Sequence, residues 1–150
     1  MASPAKPMKM QRGSAARATA RKLALQALYQ WQLNRCPWQD LLQEYTPAAD
    51  TDRADKDYLR VLLQAICTDI ETLDTQIAEW TDRPCKDLDP IERAALLIGV
   101  QELRAQPDVP YRVAISEAVS LTRRFGATDG HKFVNAVLDR AARSLRPLEH

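Results

Sequence analysis

Residues 55 to 80 read DKDYLRVLLQAICTDIETLDTQIAEW, and this stretch decides the fold class. Apolar side chains recur in it at steps of three or four residues, which is the spacing of one face of an α-helix. The members of this apolar seam are Tyr58, Leu62, Ile66, Ile70, Leu73, Ile77 and Trp80. The pattern predicts one long helix from about Asp55 to Trp80, which we expect to be the spine of the fold.

Two shorter helices are predicted before this stretch. Apolar residues at helical steps indicate a first helix over about residues 15 to 35. Cys36-Pro37 ends it, because the residue before a proline avoids the helical region of backbone space. A short helix is expected over about residues 38 to 45, and the polar stretch TPAADTDRAD, residues 46 to 55, is predicted to be a loop.

The sequence after Trp80 predicts three more helices. Asp89-Pro90-Ile91-Glu92 is typical of a helix start, with Asp89 as the cap, proline in the first turn and Glu92 at the capping-box position. That helix is expected to run to about Arg104. A fifth helix follows the proline-rich connection and ends near Phe125, and a sixth runs to about Leu145.

The fifth and sixth helices meet in FGATDGHKFVN, residues 125 to 135, which we call the corner. Gly126 is predicted to end the fifth helix, because glycine is common just after a helix C-terminus. Either Thr128 or Asp129 is predicted to cap the sixth helix with its side-chain oxygen. The corner is therefore a tight junction between two helices.

The composition agrees with an all-α fold. The chain has only four glycines in 150 residues, is rich in Ala and Leu, and is 45% hydrophobic. Charged residues interrupt the apolar stretches before the roughly 20 residues that a membrane span needs, and residues 1 to 14 lack the apolar core of a signal peptide. We expect a cytoplasmic protein with a disordered basic tail over residues 1 to 14, one domain over residues 15 to 147, and a short tail over residues 148 to 150.

The sign of the charge changes twice along the chain. Residues 1 to 39 carry seven Lys or Arg and no acid, residues 40 to 109 carry seven basic against sixteen acidic residues, and residues 110 to 150 carry seven against four. Basic ends suit a polyanion, and an acidic middle suits a basic protein partner.

The sequence contains no pattern that is typical of an enzyme, a metal site or a cofactor site. It has no glycine-rich phosphate loop, no G-x-S-x-G and no H-E-x-x-H. The three cysteines (Cys36, Cys67 and Cys85) are widely spaced, and we expect free thiols in a reducing compartment. His131 is expected to form hydrogen bonds at the start of the sixth helix or to contact a ligand there, and the predicted class is a binding protein rather than an enzyme.

Two sets of residues are candidates for binding a polyanion. Arg17 and Arg21 are one helical turn apart, with Lys22 about 100° further round, so they can follow a row of phosphates. A solvated helix face is the competing interpretation. At the corner, Phe133 falls at the edge of the apolar face beside Lys132, a combination that can stack on an unpaired base and meet its phosphate. Core packing is the competing interpretation for Phe133.

Three segments resemble the NusB family of transcription antitermination factors. The longest is YRVAISEAVSLTRRFGATDGHKFVNAVLDRAARSLRP, residues 111 to 147, which is similar to the C-terminal signature of that family. ALQALYQWQ, residues 24 to 32, resembles its first helix, and DPIER, residues 89 to 93, resembles the opening of a later helix. The resemblance covers about residues 15 to 147.

The resemblance implies a fold of two small helical bundles with about six to seven helices. It also implies a factor that pairs with NusE, a small-subunit ribosomal protein, and binds the single-stranded boxA element of nascent ribosomal RNA. With NusA and NusG, that complex helps RNA polymerase to read through terminators in ribosomal RNA operons. By resemblance the RNA-binding residues are Arg17, Arg21, Lys22, Asp129, Lys132 and Phe133, and the NusE-binding residues are Tyr29 and Glu92.

Asp129 is an acid within this expected RNA-binding corner. We expect it to limit the affinity for RNA, so that binding depends on NusE. Two other functions stay open at this point: a helical adaptor that binds protein only, and an RNA-binding domain related to that of ribosomal RNA cytosine methyltransferases. No glycine-rich cofactor loop of such a methyltransferase occurs in the 150 residues, and a homodimer is possible when NusE is absent.

Overall fold

Seven α-helices form the protein in a computed structural model that describes the backbone of residues 5–149 and the side chains of residues 13–149. They are α1 (Ala5–Leu33), α2 (Trp38–Thr51), α3 (Lys56–Thr68), α4 (Ile70–Glu79), α5 (Pro90–Ala105), α6 (Tyr111–Phe125) and α7 (Gly130–Leu145). Short 3₁₀ turns span Cys85–Asp87 and Pro147–Glu149. The predicted all-α class is confirmed, and residues 5–149 contain no strand.

The chain divides between Gln64 and Ala65 into two compact units, in agreement with the two small bundles that the resemblance implies. In the first unit α1 packs on α2. In the second unit α5 packs on α4, α6 and α7. Every residue of α5 from Ala94 to Leu103 is buried. The central helix of the second unit is therefore α5, and not the stretch over residues 55 to 80 that we expected to be the spine.

The predicted helix over residues 55 to 80 is two helices. The apolar seam is confirmed, since six of its seven members are buried and Ile70 is half-buried. The helical backbone is interrupted at Asp69, where φ is −104° and ψ is 26°. The Asp69 carboxylate accepts a hydrogen bond of 2.8 Å from the guanidinium of Arg104. Aspartate is a weak helix former, and this partner from α5 favours the interruption.

The predicted loop over residues 46 to 55 is wrong for its first half. Helix α2 continues to Thr51 and contains Pro47 in its interior. Ala49 is fully buried, and burial of this apolar face stabilises the helix beyond the proline. The hydroxyl of Thr51 donates to the Pro47 carbonyl oxygen at 3.0 Å, which satisfies a group near the helix end.

Helix α1 begins at Ala5, earlier than the predicted start at about Ala15. Residues 1 to 4 of the expected disordered tail lie outside the described residues, and so do the side chains of residues 5 to 12 and residue 150. The prediction of a disordered tail stays a prediction. Within residues 5–149, no helix is both long and apolar enough to cross a membrane.

The C-terminal end of α5 is completed by Arg146, which follows α7. Its guanidinium donates to the carbonyl oxygens of Leu103 at 2.7 Å, Glu102 at 3.0 Å and Gln106 at 2.9 Å. The last carbonyl groups of a helix have no partner within the helix. The Leu103 oxygen has no donor four residues later, because residue 107 is proline, so Arg146 supplies its partner. The oxygens of Glu102 and Gln106 also accept from the N–H groups of Gln106 and Val109, and Arg146 adds a second hydrogen bond to each.

Candidate nucleic-acid interface

The two arginines predicted to track phosphates from α1 share one helix face, but that face packs on an aromatic ring. The guanidinium carbon of Arg17 lies 4.4 Å from the centroid of the Tyr58 ring, and that of Arg21 lies 5.6 Å from it. Tyr58 and Arg21 are each 4% exposed, whereas Arg17 is half-buried. We call these three residues the Tyr58 cluster. The structure buries Arg21, so it does not offer the open cation that the sequence predicted.

Lys22 and Tyr29 keep part of their side chains at the surface of the first unit. The Lys22 ammonium lies 3.4 Å from the Asp52 carboxylate, and the lysine side chain is 23% exposed. Tyr29 is 39% exposed, and Leu33, one helical turn further along α1, is 65% exposed. An aromatic and an aliphatic side chain exposed side by side are typical of a protein-binding surface. Leu33 was missed at the sequence level, because it ends the apolar stripe of α1.

Gly126 follows the end of the fifth predicted helix, as the sequence predicted. Helix α6 ends at Phe125, and the N–H of Gly126 donates to the Thr122 carbonyl oxygen at 2.7 Å. The Gly126 backbone is extended, with φ of −96° and ψ of −178°. A Cβ atom at this position would lie 2.7 Å from the Thr122 carbonyl oxygen. Glycine is needed here for a close approach of two backbone segments.

The predicted cap of α7 by a side chain of Thr128 or Asp129 is wrong. Asp129 occupies the cap position, but it has a left-handed backbone with φ of 71°, and its side chain accepts no capping hydrogen bond. Its carboxylate instead lies 3.2 Å from the ammonium of Lys132. Both side chains are largely exposed, at 68% and 72%. Asp129 thus neutralises part of the charge that Lys132 presents to solvent.

Phe133 is half-buried, as its position at the edge of the apolar face predicted. One face of its ring is covered, because the guanidinium carbon of Arg83 lies 4.5 Å from the ring centroid. Arg83 was not predicted as a site residue, because it lies between α4 and α5 in a segment without periodicity. Arg123 and Arg124, in the last turn of α6, are exposed and were also missed, although the run RRFG marks them as neighbours of the corner.

Glu92 lies beneath the corner and is 6% exposed, so it offers little surface to a partner. Asp89 caps α5 as predicted, with its carboxylate accepting from the N–H groups of Ile91 at 3.0 Å and Glu92 at 3.1 Å. The Glu92 side chain does not close a capping box. A Cβ atom at Gly130 would lie 2.9 Å from its Oε2, which puts the carboxylate against the first residue of α7.

The Glu92 carboxylate has a shifted pKa. Burial raises the pKa above its usual range, the charge of Asp89 raises it further, and the Arg83 guanidinium lowers it. The Arg83 Nη1 atom is 4.0 Å from Glu92 Oε1, an atom without a hydrogen-bond partner among the described residues. Arg83 therefore lies between the ring of Phe133 and a buried carboxylate.

His131 is half-buried at the start of α7, where the sequence placed it. Among residues 13–149, no group of three His, Cys, Asp or Glu side chains could hold a metal ion. The corner and its neighbours carry exposed cations: Lys132, the two arginines at the end of α6, and Arg83, whose guanidinium lies over the half-buried ring of Phe133. Fold and site define an all-helical protein with a basic, partly aromatic surface of the kind that suits a polyanion.

The chain belongs to the NusB family, whose model matches residues 18–143. It is 46% identical over 133 residues to the transcription antitermination protein NusB of Idiomarina loihiensis, covering 89% of this chain and 96% of that protein. It is also 46% identical over 132 residues to NusB of a Marinomonas species, covering 87% and 76%. The resemblance drawn from the three segments is thereby confirmed.

Two solved structures have the same fold. A crystal form of NusB from T. maritima matches with a TM-score of 0.73 and 27% identity, over 85% of this chain and 90% of that one. A chain in the crystal structure of the antitermination factors NusB and NusE in complex with double-stranded RNA matches with a TM-score of 0.73 and 23% identity. That match covers 91% of this chain and 98% of the other.

Proposed function

We propose that this protein is an RNA-binding transcription antitermination factor that binds the boxA element of nascent ribosomal RNA together with NusE. It acts in the cytoplasm and promotes read-through by RNA polymerase in ribosomal RNA operons, in a larger complex with NusA and NusG. Membership of the NusB family supports the general class. The chemistry of the corner supports RNA binding.

The observation that carries the proposal is an exposed cation beside a half-buried aromatic ring. Lys132 is 72% exposed, next to Phe133 at the start of α7. Proteins that bind single-stranded RNA combine cations that meet phosphates with aromatic or guanidinium planes that stack on unpaired bases. The two exposed arginines at the end of α6 extend the cationic surface along the corner.

The residues have different roles in this proposal. Arg17, Lys22, Lys132 and Phe133 reach the surface and contact RNA. Arg21 supports the α1 surface from within the Tyr58 cluster, and Glu92 supports the corner from beneath Gly130, because both are buried. Asp129 limits the RNA affinity through its ion pair with Lys132. Tyr29, with Leu33, forms the surface for NusE, and in the absence of NusE the same surface is available to a second copy of the chain.

Fluorescence anisotropy tests the proposal with a boxA RNA and a scrambled control, each titrated with the protein alone and then with NusE. We expect tighter binding of the boxA RNA and a larger difference when NusE is present. Four phosphate contacts on a single strand would give a slope of about −2.8 for log K against log salt concentration. If neither RNA binds in any condition while NusE does, the protein is a helical adaptor for proteins and the proposal is wrong.

A further inference from the structure

Arg83 is an exposed residue beside the corner to which the proposed function assigns no role. It lies between α4 and α5, and its side chain is 56% exposed. Its guanidinium carbon lies 4.5 Å from the centroid of the Phe133 ring, within the range of a cation–π contact. The ring face on this side therefore meets a guanidinium, and any base that approaches it meets Arg83 first.

The guanidinium is held from two sides. The ring of Phe133 lies on one side, and the buried Glu92 carboxylate lies 4.0 Å from its Nη1 atom. The segment that carries Arg83 is also tied to α7, because the Arg140 guanidinium donates to the Trp80 carbonyl oxygen at 2.7 Å. These contacts restrict a side chain that would otherwise have many rotamers, so less conformational entropy is lost when it binds a ligand.

We propose that Arg83 is a stacking platform for one unpaired base of the bound RNA, with the base on the outer face of the guanidinium and Phe133 on the inner face. Arginine suits this role, because its planar guanidinium stacks on π systems while its charge attracts phosphate, and lysine provides the charge without the plane. The inference rests on the proposed RNA-binding function. It changes the expected role of Phe133, which supports the arginine from behind.

The test compares Arg83→Ala and Arg83→Lys with the wild-type protein in complex with NusE, by anisotropy with the boxA RNA at two salt concentrations. The matched control is Arg60→Ala on α3, which removes an arginine of similar side-chain exposure, 52%, far from the corner in sequence. A second set of RNA probes carries one abasic nucleotide at each position in turn. Circular dichroism and thermal unfolding establish that each variant keeps its helices.

We expect Arg83→Ala to lower the affinity roughly 5- to 150-fold, the range expected for a stacked base. Arg83→Lys should keep the wild-type salt slope and still bind several-fold more weakly, and Arg60→Ala should bind like the wild type. One abasic position should weaken binding to the wild type and have little further effect on either Arg83 variant.

Two results overturn the inference while the proposed function stands: RNA binding of Arg83→Lys equal to the wild type, or abasic effects of the same size in wild type and variants. In both cases Arg83 supplies charge only. If the wild-type complex itself binds no RNA, the proposed function fails and the inference fails with it.

Discussion

The Tyr58 cluster and the corner are both basic and aromatic, but they expose very different fractions of their charge. In the Tyr58 cluster, Arg21 is 4% exposed and lies against a ring that is itself 4% exposed. At the corner, Lys132 is 72% exposed and Arg83 is 56% exposed above a half-buried ring. The same residue types therefore form a buried, packed cluster in the first unit and an exposed cationic surface in the second.

This difference shows that a count of basic residues does not locate a polyanion site. A guanidinium that is packed on a buried ring has already lost its water, and its contact stabilises the fold. A cation at the surface keeps its counterions until a phosphate displaces them, and that release is what makes binding depend on salt. Unfolding measurements report on the buried contacts of the Tyr58 cluster, and RNA titrations at several salt concentrations report on the exposed charges of the corner. Each region can therefore be tested by its own experiment.

The largest expected effect is on folding. Tyr58→Ala should lower the free energy of unfolding by about 3–5 kcal/mol, because it removes a buried aromatic ring and the support of two arginines. Phe133→Ala is the matched control, and it should cost clearly less because its ring is half-buried. Urea denaturation followed by circular dichroism measures both losses. Equal losses would show that Phe133 stabilises the fold as much as Tyr58 does.

The next effect is on RNA affinity. Lys132→Gln should reduce the slope of log K against log salt concentration by about 0.7, which corresponds to about fivefold weaker binding at 0.1 M salt. Arg21→Gln should leave that slope unchanged, because Arg21 is buried and releases no counterion. Anisotropy titrations at several salt concentrations measure both slopes. A reduced slope for Arg21→Gln would show that the Tyr58 cluster opens toward the RNA.

A smaller effect is expected from Asp129. Asp129→Asn removes the carboxylate that is paired with Lys132, and RNA binding should tighten about twofold, as expected when an exposed ion pair is lost. Stability should stay unchanged, because asparagine tolerates the left-handed backbone at this position. Filter binding measures the affinity. Equal or weaker binding by the variant would contradict the role of Asp129 as a limit on affinity.

The smallest effect concerns the carboxylate beneath the corner. Burial, with the charge of Asp89, raises the pKa of Glu92 in the folded protein, while Arg83 lowers it. Because the folded state then holds the proton more tightly than the unfolded state, this group favours folding at acidic pH and loses that contribution as pH rises through the folded pKa. Glu92→Gln should therefore gain stability relative to the wild type between pH 4 and pH 7. Urea denaturation at both pH values measures the difference, and a constant difference would show that folding does not shift the pKa of Glu92.

Features with local causes were predictable from the sequence. The start of α5 depends on Asp89 and two N–H groups within three residues of it, and the end of α6 depends on Gly126 and the preceding turn. The exposure of Lys132 and the partial burial of Phe133 were predictable, because both follow from the face of α7 on which these residues lie. Capping residues and the apolar periodicity were sufficient to predict these helix ends and the exposure of these side chains.

Features with distant causes were not predictable. The interruption at Asp69 involves Arg104, 35 residues later in the chain. The continuation of α2 past Pro47 goes with the burial of Ala49. Arg83 was missed because its position over Phe133 depends on how the segment before α5 folds back on α7. A periodic pattern shows which face of a helix is apolar, but it does not show which side chain from elsewhere will cover the polar face.

The hydrogen bonds between Arg146 and the end of α5 constrain the order of events during synthesis. The guanidinium is 40 residues further along the chain than Gln106, whose carbonyl oxygen it binds. A ribosome that adds about 5–20 residues each second needs roughly 2–8 s to make that stretch. During this interval the last turn of the most buried helix of the second unit has left the synthesis site without its final partner, so the nascent unit cannot complete its native hydrogen bonds until Arg146 emerges.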